Sequence, residues 1–292
     1  MMECILCGNQ YFDCIHRGTR DVSNINVMRC RKCGMVQLDC KGDNSEEKYA
    51  AGGMLENAYA AITNMTSDMT WEQWIEETKD DDDRRYNELK DICTGKRVLE
   101  FGCGNGGFLR RMKAHADCVT GIELMDEARE YIAEEGIQVY RNPDEVEGKY
   151  DIVCMFMVIE HLNNPDMHLA KIKRIMTEDG ILICETPNAH DALITKYKCK
   201  AFEDFTYWSK HVLLFDSETL ERLMRKNGFS TIRNTQIQRY SLANHLYWLS
   251  NGKPGGHMRW KDFSNEKMNN LYAECLIAHD MADTLWYVGK KL

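Results

Sequence analysis

Two pairs of cysteines near the start of the chain have the spacing of a metal site. Cys4 and Cys7 lie in CILCG, and Cys30 and Cys33 lie in CRKCG. Each C-x-x-C-G motif places two thiolates on one tight turn, and four thiolates form the tetrahedral donor set that suits zinc. Because four protein ligands leave no open position for a substrate, we predict that this zinc is structural.

A glycine-rich turn follows a strand-like segment in VLEFGCGNGGFL. Gly102, Gly104 and Gly107 match the G-x-G-x-x-G turn of dinucleotide-binding proteins. Gly102, Gly104 and Gly106 equally match the G-x-G-x-G turn of proteins that bind S-adenosylmethionine. Glu100 distinguishes the two cofactors, because a pyrophosphate on this turn would meet a fixed negative charge. S-adenosylmethionine has no phosphate and carries an ammonium and a sulfonium group, which a carboxylate attracts.

The segments that must position these residues alternate between strand and helix patterns from Lys96 onward. This alternation predicts a Rossmann-like α/β fold with a mainly parallel sheet and helices on both faces. Residues 165–180 are predicted to form one amphipathic helix, with Pro165 in its first turn and Gly180 after its end. Glu123, in GIEL, ends the second strand, where an acidic residue accepts hydrogen bonds from the ribose hydroxyls of either cofactor.

Five segments in this order resemble class I S-adenosylmethionine-dependent methyltransferases: VLEFGCGNGGFL, GIEL, YDIVCMFMVIEHLNNP, GILICETPN and HVLLFDSETLERLMRKNGF. The resemblance covers roughly Lys96 to the C-terminus. It implies a seven-stranded sheet in which the last strand, DTLWYVGKKL, lies antiparallel between strands five and six. It also implies that the cofactor is bound by the glycine turn and by residues at the ends of strands two, three and four, namely Glu100, Gly102, Cys103, Gly104, Glu123, Leu124, Asn142, Phe156 and Met157.

The cysteine distribution divides the chain into three parts. We expect a small zinc-ribbon-like module at 1–42, a helical linker or cap at 43–95, and the methyltransferase domain at 96–292, with a helical insert at about 240–280. A similar zinc-binding module precedes the methyltransferase domain in certain sugar C-methyltransferases. The acidic run at Asp80 to Asp83 is expected to lie in water, as blocks of like charge usually do.

Composition and charge restrict the partners. The formal net charge is −9, which disfavours a nucleic-acid partner, because such proteins usually need a basic face. No apolar run is long enough to span a bilayer and no signal peptide is visible, so we predict no membrane partner. The chain has 13 cysteines, and without a secretory signal they indicate the reducing cytoplasm. The oligomeric state is not indicated.

Histidines near the predicted strand ends are candidate general bases, because imidazole titrates near neutrality. His211 follows strand five and is the first choice, although it could instead shape its loop. Glu160 and His161 follow strand four, where some quinone O-methyltransferases carry a metal-binding E-x-x-E-H. Met157 stands in place of the first carboxylate, which argues against a catalytic magnesium. Candidate acceptor contacts are Tyr207, Tyr240, Asn244 and His245.

The sequence therefore predicts transfer of a methyl group from S-adenosylmethionine to a small-molecule acceptor. Candidate acceptors are a sugar or a nucleotide-activated intermediate of surface-polysaccharide or natural-product biosynthesis. O-methylation is favoured because a histidine base is available, while N- and C-methylation stay open. The alternatives are a zinc-containing RNA methyltransferase, a non-catalytic S-adenosylmethionine-binding module and, weakened by Glu100, an oxidoreductase.

Overall fold

The N-terminal cysteines lie in a small antiparallel sheet. In this computed structural model, which describes residues 2–40, 44, 46–50 and 70–292, the sheet contains β1 (Phe12–His16), β2 (Val27–Cys30) and β3 (Val36–Leu38). Its fourth strand, β9 (Leu213–Leu214), comes from much later in the chain and pairs antiparallel with β3. The N-terminal module is therefore completed by a strand that follows the first five strands of the large sheet.

Within the described part of the chain, the large sheet has seven strands. They are β4 (Arg97–Phe101), β5 (Cys118–Ile122), β6 (Gln138–Tyr140), β7 (Tyr150–Phe156), β8 (Met176–Pro187), β10 (Phe229–Ile237) and β11 (Thr284–Lys291). The order across the sheet is β10-β11-β8-β7-β4-β5-β6, and β11 runs antiparallel to both of its neighbours. The class I methyltransferase fold, including insertion of the last strand between strands five and six, is thus confirmed.

The helices surround this sheet and connect its strands. They are α1 (Glu46–Ala50), α2 (Trp71–Cys93), α3 (Gly107–Met112), α4 (Asp126–Glu134), α5 (Pro165–Ile175), α6 (Ala192–Thr195), α7 (Lys200–Thr206), α8 (Ser217–Lys226), α9 (Leu242–Asn251), α10 (Gly256–Arg259) and α11 (Glu266–Ala278). Within the predicted cap at 43–95, α1 and α2 are helical, and residues 43, 45 and 51–69 lie outside the described residues. Helices α9 to α11 occupy the predicted insert. No helix in the described ranges is long and apolar enough to cross a membrane.

The predicted helix at 165–180 is wrong in its last turn. Helix α5 ends at Ile175, and β8 begins at Met176, which is buried and pairs with Tyr150 of β7. The polar residues after it also have partners in the sheet, since Lys291 of β11 lies 3.0 Å from Glu178. Pairing with neighbouring strands has overridden a helical pattern that the sequence carries locally.

The two predicted modules share one hydrophobic core. Buried residues of the N-terminal sheet, such as Val27 and Leu38, belong to the same cluster as Leu214 and as Leu223 of α8. A second cluster, on the other face of the large sheet, joins α2 to α3 and contains Leu89 and Phe108. The long helix α2 is therefore packed against the sheet rather than extended away from it.

Candidate cofactor and active site

The glycine turn after β4 requires glycine for conformational and steric reasons. Gly102, Gly104 and Gly106 have φ angles of 75°, 52° and 78°, in the left-handed region that favours glycine. A Cβ atom on Gly102 would also lie only 2.6 Å from Cγ2 of Val158. The G-x-G-x-G spacing therefore describes the residues that turn the chain.

A cavity of about 410 Å³ lies above the carboxyl ends of β4, β5, β6 and β7, the edge at which ligands of open α/β sheets bind. Six of the predicted cofactor residues line it, namely Gly102, Gly104, Glu123, Leu124, Asn142 and Met157. Sequence reasoning missed other wall residues, among them Arg141, Asn163, Met167 and His168. Arg141 directly precedes Asn142 at the end of β6, so its position was a usable signal. Trp74 of α2 also lines the cavity, because tertiary packing brings that helix to the turn.

Glu123 is fixed by the backbone on both sides. Its Oε2 accepts a hydrogen bond from the Gly104 amide at 2.8 Å, and its Oε1 accepts one from the Met125 amide at 3.0 Å. Burial raises the pKa of this carboxyl above its ordinary value. Each oxygen keeps a second lone pair, so the carboxylate could also accept bonds from the ribose hydroxyls of a nucleotide in the cavity.

Glu100, Cys103 and Phe156 do not line this cavity. Glu100 is buried below the turn, and its Oε2 has no hydrogen-bond partner among the described residues. Burial, followed by the nearby carboxylate of Asp82, raises the pKa of Glu100 well above its ordinary value. Phe156 packs against Phe108, with ring centroids 5.2 Å apart. That these three residues contact the cofactor remains a prediction.

His161 is the predicted catalytic residue that lines the cavity. It lies in a 3₁₀ turn directly after β7, and its Nδ1 is 2.9 Å from the carbonyl oxygen of Lys210. Since a carbonyl can only accept, Nδ1 carries the proton and Nε2 keeps its lone pair. Burial lowers the pKa of His161 to about 4, so the imidazole is neutral near pH 7.

His211 and Glu160 lie behind His161 rather than on the cavity wall. The rings of His211 and His161 have centroids 4.9 Å apart. Burial and the neighbouring His161 hold the pKa of His211 well below its ordinary value. Glu160 accepts a hydrogen bond from Thr186 at 2.9 Å, and burial raises its pKa to about 7. One donor atom from each of Glu160, His161 and His211 lies within 4.8 Å of the others, a set that could hold a divalent cation.

The four predicted acceptor residues also lie off this cavity. Tyr207 is buried against His16 of the N-terminal module, with ring centroids 4.8 Å apart. In the insert, Asn244 accepts a hydrogen bond from the Gly256 amide at 3.1 Å, and His245 bonds Tyr272 at 2.8 Å. Tyr240 is exposed next to His257. Asn244 and His245 organise the insert, and acceptor binding by any of the four stays a prediction.

The acidic run at Asp80 to Asp83 lies only partly in water: Asp80 is exposed as expected, but the two residues after it are not. Asp82 is buried, and a Cβ atom on Gly107 would lie 1.9 Å from its Oδ2, so the carboxylate packs directly against the start of α3. Asp81 is half-buried and accepts from Nε of Arg239 at 2.9 Å. The expectation failed because α2 is packed on the protein, where arginines balance these charges.

The four cysteines of the two C-x-x-C-G motifs converge on one point. The sulfur atoms of Cys4 and Cys33 are 3.4 Å apart, those of Cys7 and Cys30 are 3.6 Å apart, and all four lie within 4.8 Å of one another. Tetrahedral zinc–thiolate bonds of about 2.3 Å place sulfur atoms about 3.8 Å apart. The Cys4 sulfur also accepts from backbone amides of its turn, and the Cys30 sulfur accepts from Nδ2 of the Asn9 side chain at 3.4 Å. These residues fit a structural zinc.

Comparison with known proteins agrees with this architecture. The family model described as a methyltransferase domain matches residues 73–234. The ubiquinone biosynthesis O-methyltransferase of Glaesserella parasuis is 29% identical over 117 residues, which are 35% of this chain and 50% of the relative. A probable (S)-tetrahydroprotoberberine N-methyltransferase of Papaver bracteatum is 28% identical over 38% of this chain and 34% of its own. The chain thus spans about half the length, or less, of these curated relatives.

One solved structure shows the same fold at low identity. Magnesium protoporphyrin IX methyltransferase from Synechocystis, with bound SAH, is 12% identical, with a TM-score of 0.51 over 85% of this chain and 98% of its own. The sheet order, the glycine turn and the matched family lead to the same assignment. The chain belongs to the methyltransferase domain family and has the class I methyltransferase fold.

Proposed function

We propose that this enzyme transfers the methyl group of S-adenosylmethionine to a hydroxyl group of a small molecule, with His161 as the general base. The observation that carries the proposal is the position of His161, which lines the same cavity as Gly104 and Glu123. Its Nδ1 is occupied by the Lys210 carbonyl, which leaves the Nε2 lone pair to accept a proton.

The residues of the chain divide the work between binding and proton transfer. The glycine turn and Glu123 would hold the cofactor, which supplies an electrophilic methyl group when bound. Methyl transfer is an in-line displacement, so the protein accelerates it mainly by placing the acceptor oxygen against that carbon. His161 Nε2 takes the proton that the hydroxyl loses, a contribution of roughly 100- to 10,000-fold for a positioned base.

His161 replaces His211 as our first choice of base. Both imidazoles are neutral near pH 7, but only His161 is on the cavity wall. His211 packs against the far side of His161. It therefore remains the alternative base only if the acceptor enters from that side.

The acceptor class rests on the relatives and on charge. The curated relatives include O-methyltransferases of ubiquinone biosynthesis and an alkaloid N-methyltransferase, so we infer a small-molecule acceptor. A sugar or a nucleotide-activated intermediate remains our candidate. The net charge of −9 argues against RNA as the acceptor, and we place the enzyme, with one structural zinc, in the cytoplasm.

The experiment compares His161→Asn with the parent enzyme and with His279→Asn, which changes an exposed histidine outside the cavity. Hydroxyl acceptors, beginning with sugar nucleotides and phenols, are screened by formation of the demethylated cofactor. We expect His161→Asn to lower kcat by roughly 100-fold or more with cofactor affinity nearly unchanged, and His279→Asn to behave as the parent.

The pH dependence of the parent rate provides a second test. A base acts when it is deprotonated, and the pKa of His161 is lowered to about 4. The rate should therefore be flat near neutrality and fall only in acid. Normal turnover in His161→Asn together with loss in His211→Asn would move the base to His211. Turnover of amines but of no hydroxyl compound would reject O-methylation, and cofactor binding without any turnover would favour the non-catalytic module.

A further inference from the structure

A carboxylate of the N-terminal module holds the backbone of the segment that carries His211. Asp21 accepts hydrogen bonds from the Ser209 amide at 3.0 Å and from the Ser209 hydroxyl at 2.5 Å. A third bond comes from Thr19 at 2.9 Å. Although burial raises the pKa of Asp21, the bonds from Ser209 bring it below its ordinary value, so the group is ionised near pH 7. Bonds to a charged acceptor are among the stronger ones in proteins.

The module also holds this segment on both sides of Ser209. Before it, the Arg20 amide donates to the Tyr207 carbonyl at 2.8 Å, and the Arg20 guanidinium lies 4.2 Å from the centre of the Trp208 ring. After it, the Leu38 amide donates to the Val212 carbonyl at 3.1 Å, and β3 pairs with β9. The segment 207–214 is thus ordered by the N-terminal module along its length.

The opposite side of the same segment contacts the active site. The carbonyl of Lys210, the residue after Ser209, lies 2.9 Å from Nδ1 of His161. Asn44 donates to the carbonyls of both His161 and Lys210, at 3.0 and 2.9 Å. A hydrogen bond weakens steeply when its acceptor shifts or tilts, so the position of the Lys210 carbonyl decides which nitrogen of His161 carries the proton.

We propose that Asp21 is a positioning residue for methyl transfer. Its bonds to Ser209 fix the Lys210 carbonyl, and that carbonyl holds His161 with the proton on Nδ1 and the lone pair on Nε2. The N-terminal module then contributes to the chemical step although Asp21 lies off the wall of the cofactor cavity. The effect of Asp21 on the rate rests on the proposed function, in which His161 is the base. Its effect on the tautomer of His161 does not depend on that role.

The test uses the full chain with Asp21→Ala and a matched control, Asp13→Ala. Asp13 belongs to the same module, but its carboxylate forms an exposed ion pair with Arg31, at 2.6 Å. The first readout is the ¹⁵N NMR spectrum of His161, identified by its loss in His161→Asn, because ring nitrogen shifts report the tautomer directly. We expect one Nδ1-protonated form in the parent and in Asp13→Ala, and a mixture in Asp21→Ala.

The second readout is kinetic. Asp21→Ala should lower kcat by roughly 10-fold or more while cofactor affinity stays near that of the parent. In the double variant Asp21→Ala, His161→Asn, kcat should be little lower than in His161→Asn alone, because both changes act through the same imidazole. Asp21→Asn keeps one oxygen for the Ser209 amide and should give a smaller loss. If Asp21→Ala does not fold, the NMR and kinetic measurements are made on Asp21→Asn and Ser209→Ala instead.

The outcomes separate this inference from the proposed function. An unchanged His161 tautomer in the Asp21 variants overturns the inference, whatever the rates. An additive loss of kcat in the double variant also overturns it, since Asp21 would then act independently of His161. A third outcome is possible, in which the His161 tautomer changes in Asp21→Ala but the His161→Asn variant remains fully active. The positioning contact would then stand, and His161 would be rejected as the base.

Discussion

At the scale of single residues, the candidate cofactor site contains side chains that already form hydrogen bonds to the backbone. Glu123 joins the glycine turn to the start of α4, because each carboxylate oxygen accepts one backbone amide. Met157, at the end of β7, has a φ of 54°, a conformation that costs about 1–3 kcal/mol for a residue other than glycine. Both residues lie on the cavity wall.

We predict that Glu123→Gln weakens binding of S-adenosylmethionine. A glutamine can accept from only one of the two amides and turns a donor towards the other, and it also loses acceptor capacity for the ribose. The loss of one or two such bonds is worth about 1–3 kcal/mol, or roughly 5- to 150-fold in Kd. Calorimetric titration measures this change, and the exposed Glu127→Gln is the control. An unchanged Kd would remove Glu123 from the cofactor site.

At the scale of secondary-structure elements, buried polar groups determine where several helices begin. Asp191 caps α6, accepting a hydrogen bond from the Leu193 amide at 2.6 Å. It is almost completely buried, and burial together with the nearby Asp283 raises its pKa to about 8. The folded protein therefore keeps this carboxyl protonated at a pH where the unfolded chain ionises it.

We predict that Asp191→Asn makes the protein more stable than the parent at neutral pH, by a margin that shrinks in acid. In the parent, the unfolded chain releases this proton above about pH 4 and the folded state only near pH 8, so stability falls as pH rises between them. Asparagine keeps the capping oxygen and does not ionise. The difference in free energy of unfolding should grow by roughly 1 kcal/mol per pH unit from pH 5 to 7.

Urea unfolding of the parent and the Asp191→Asn variant at several pH values measures this difference. Asp216→Asn controls for replacing a capping carboxylate, since Asp216 caps α8 by accepting from the Thr219 amide at 2.8 Å. A margin between Asp191→Asn and the parent that does not change with pH would show that Asp191 is ionised in the folded protein.

At the scale of the whole molecule, the N-terminal module and the methyltransferase domain form one structure. The short strand β9 completes the N-terminal sheet, and the hydrophobic core is continuous between them. Loss of the metal site should therefore affect the segment 207–214 as well as the cysteine turns.

We predict one zinc per chain, lost in the double variant Cys4→Ser, Cys30→Ser. Two of the four thiolates are then missing, and structural zinc supplies folding free energy to small modules. Metal analysis should show less zinc, a thermal melt should show a lower Tm, and hydrogen exchange should become faster at 207–214. Cys275→Ser, at an exposed cysteine outside the cluster, should change none of these. Unchanged zinc content in the double variant would reject the ligand assignment.

The sequence by itself determined the features that are encoded locally. The alternation of strands and helices, the left-handed glycines of the turn and the acidic residue at Glu123 each depend on neighbours in the chain. The two C-x-x-C-G motifs specify their own turns in the same way. The family resemblance added the order of the seven strands, which no local pattern contains.

The tertiary structure alone decided which polar groups meet. The sequence separates His161 from Lys210, and only packing shows that the Lys210 carbonyl holds His161 at the cavity. The acidic run before Arg84 looks solvated in sequence, but α2 is packed on the sheet, so Asp82 is buried. The last turn of the helix predicted at 165–180 is part of β8 for the same reason. In each case the free energy comes from burial and pairing with distant segments, which a local pattern does not encode.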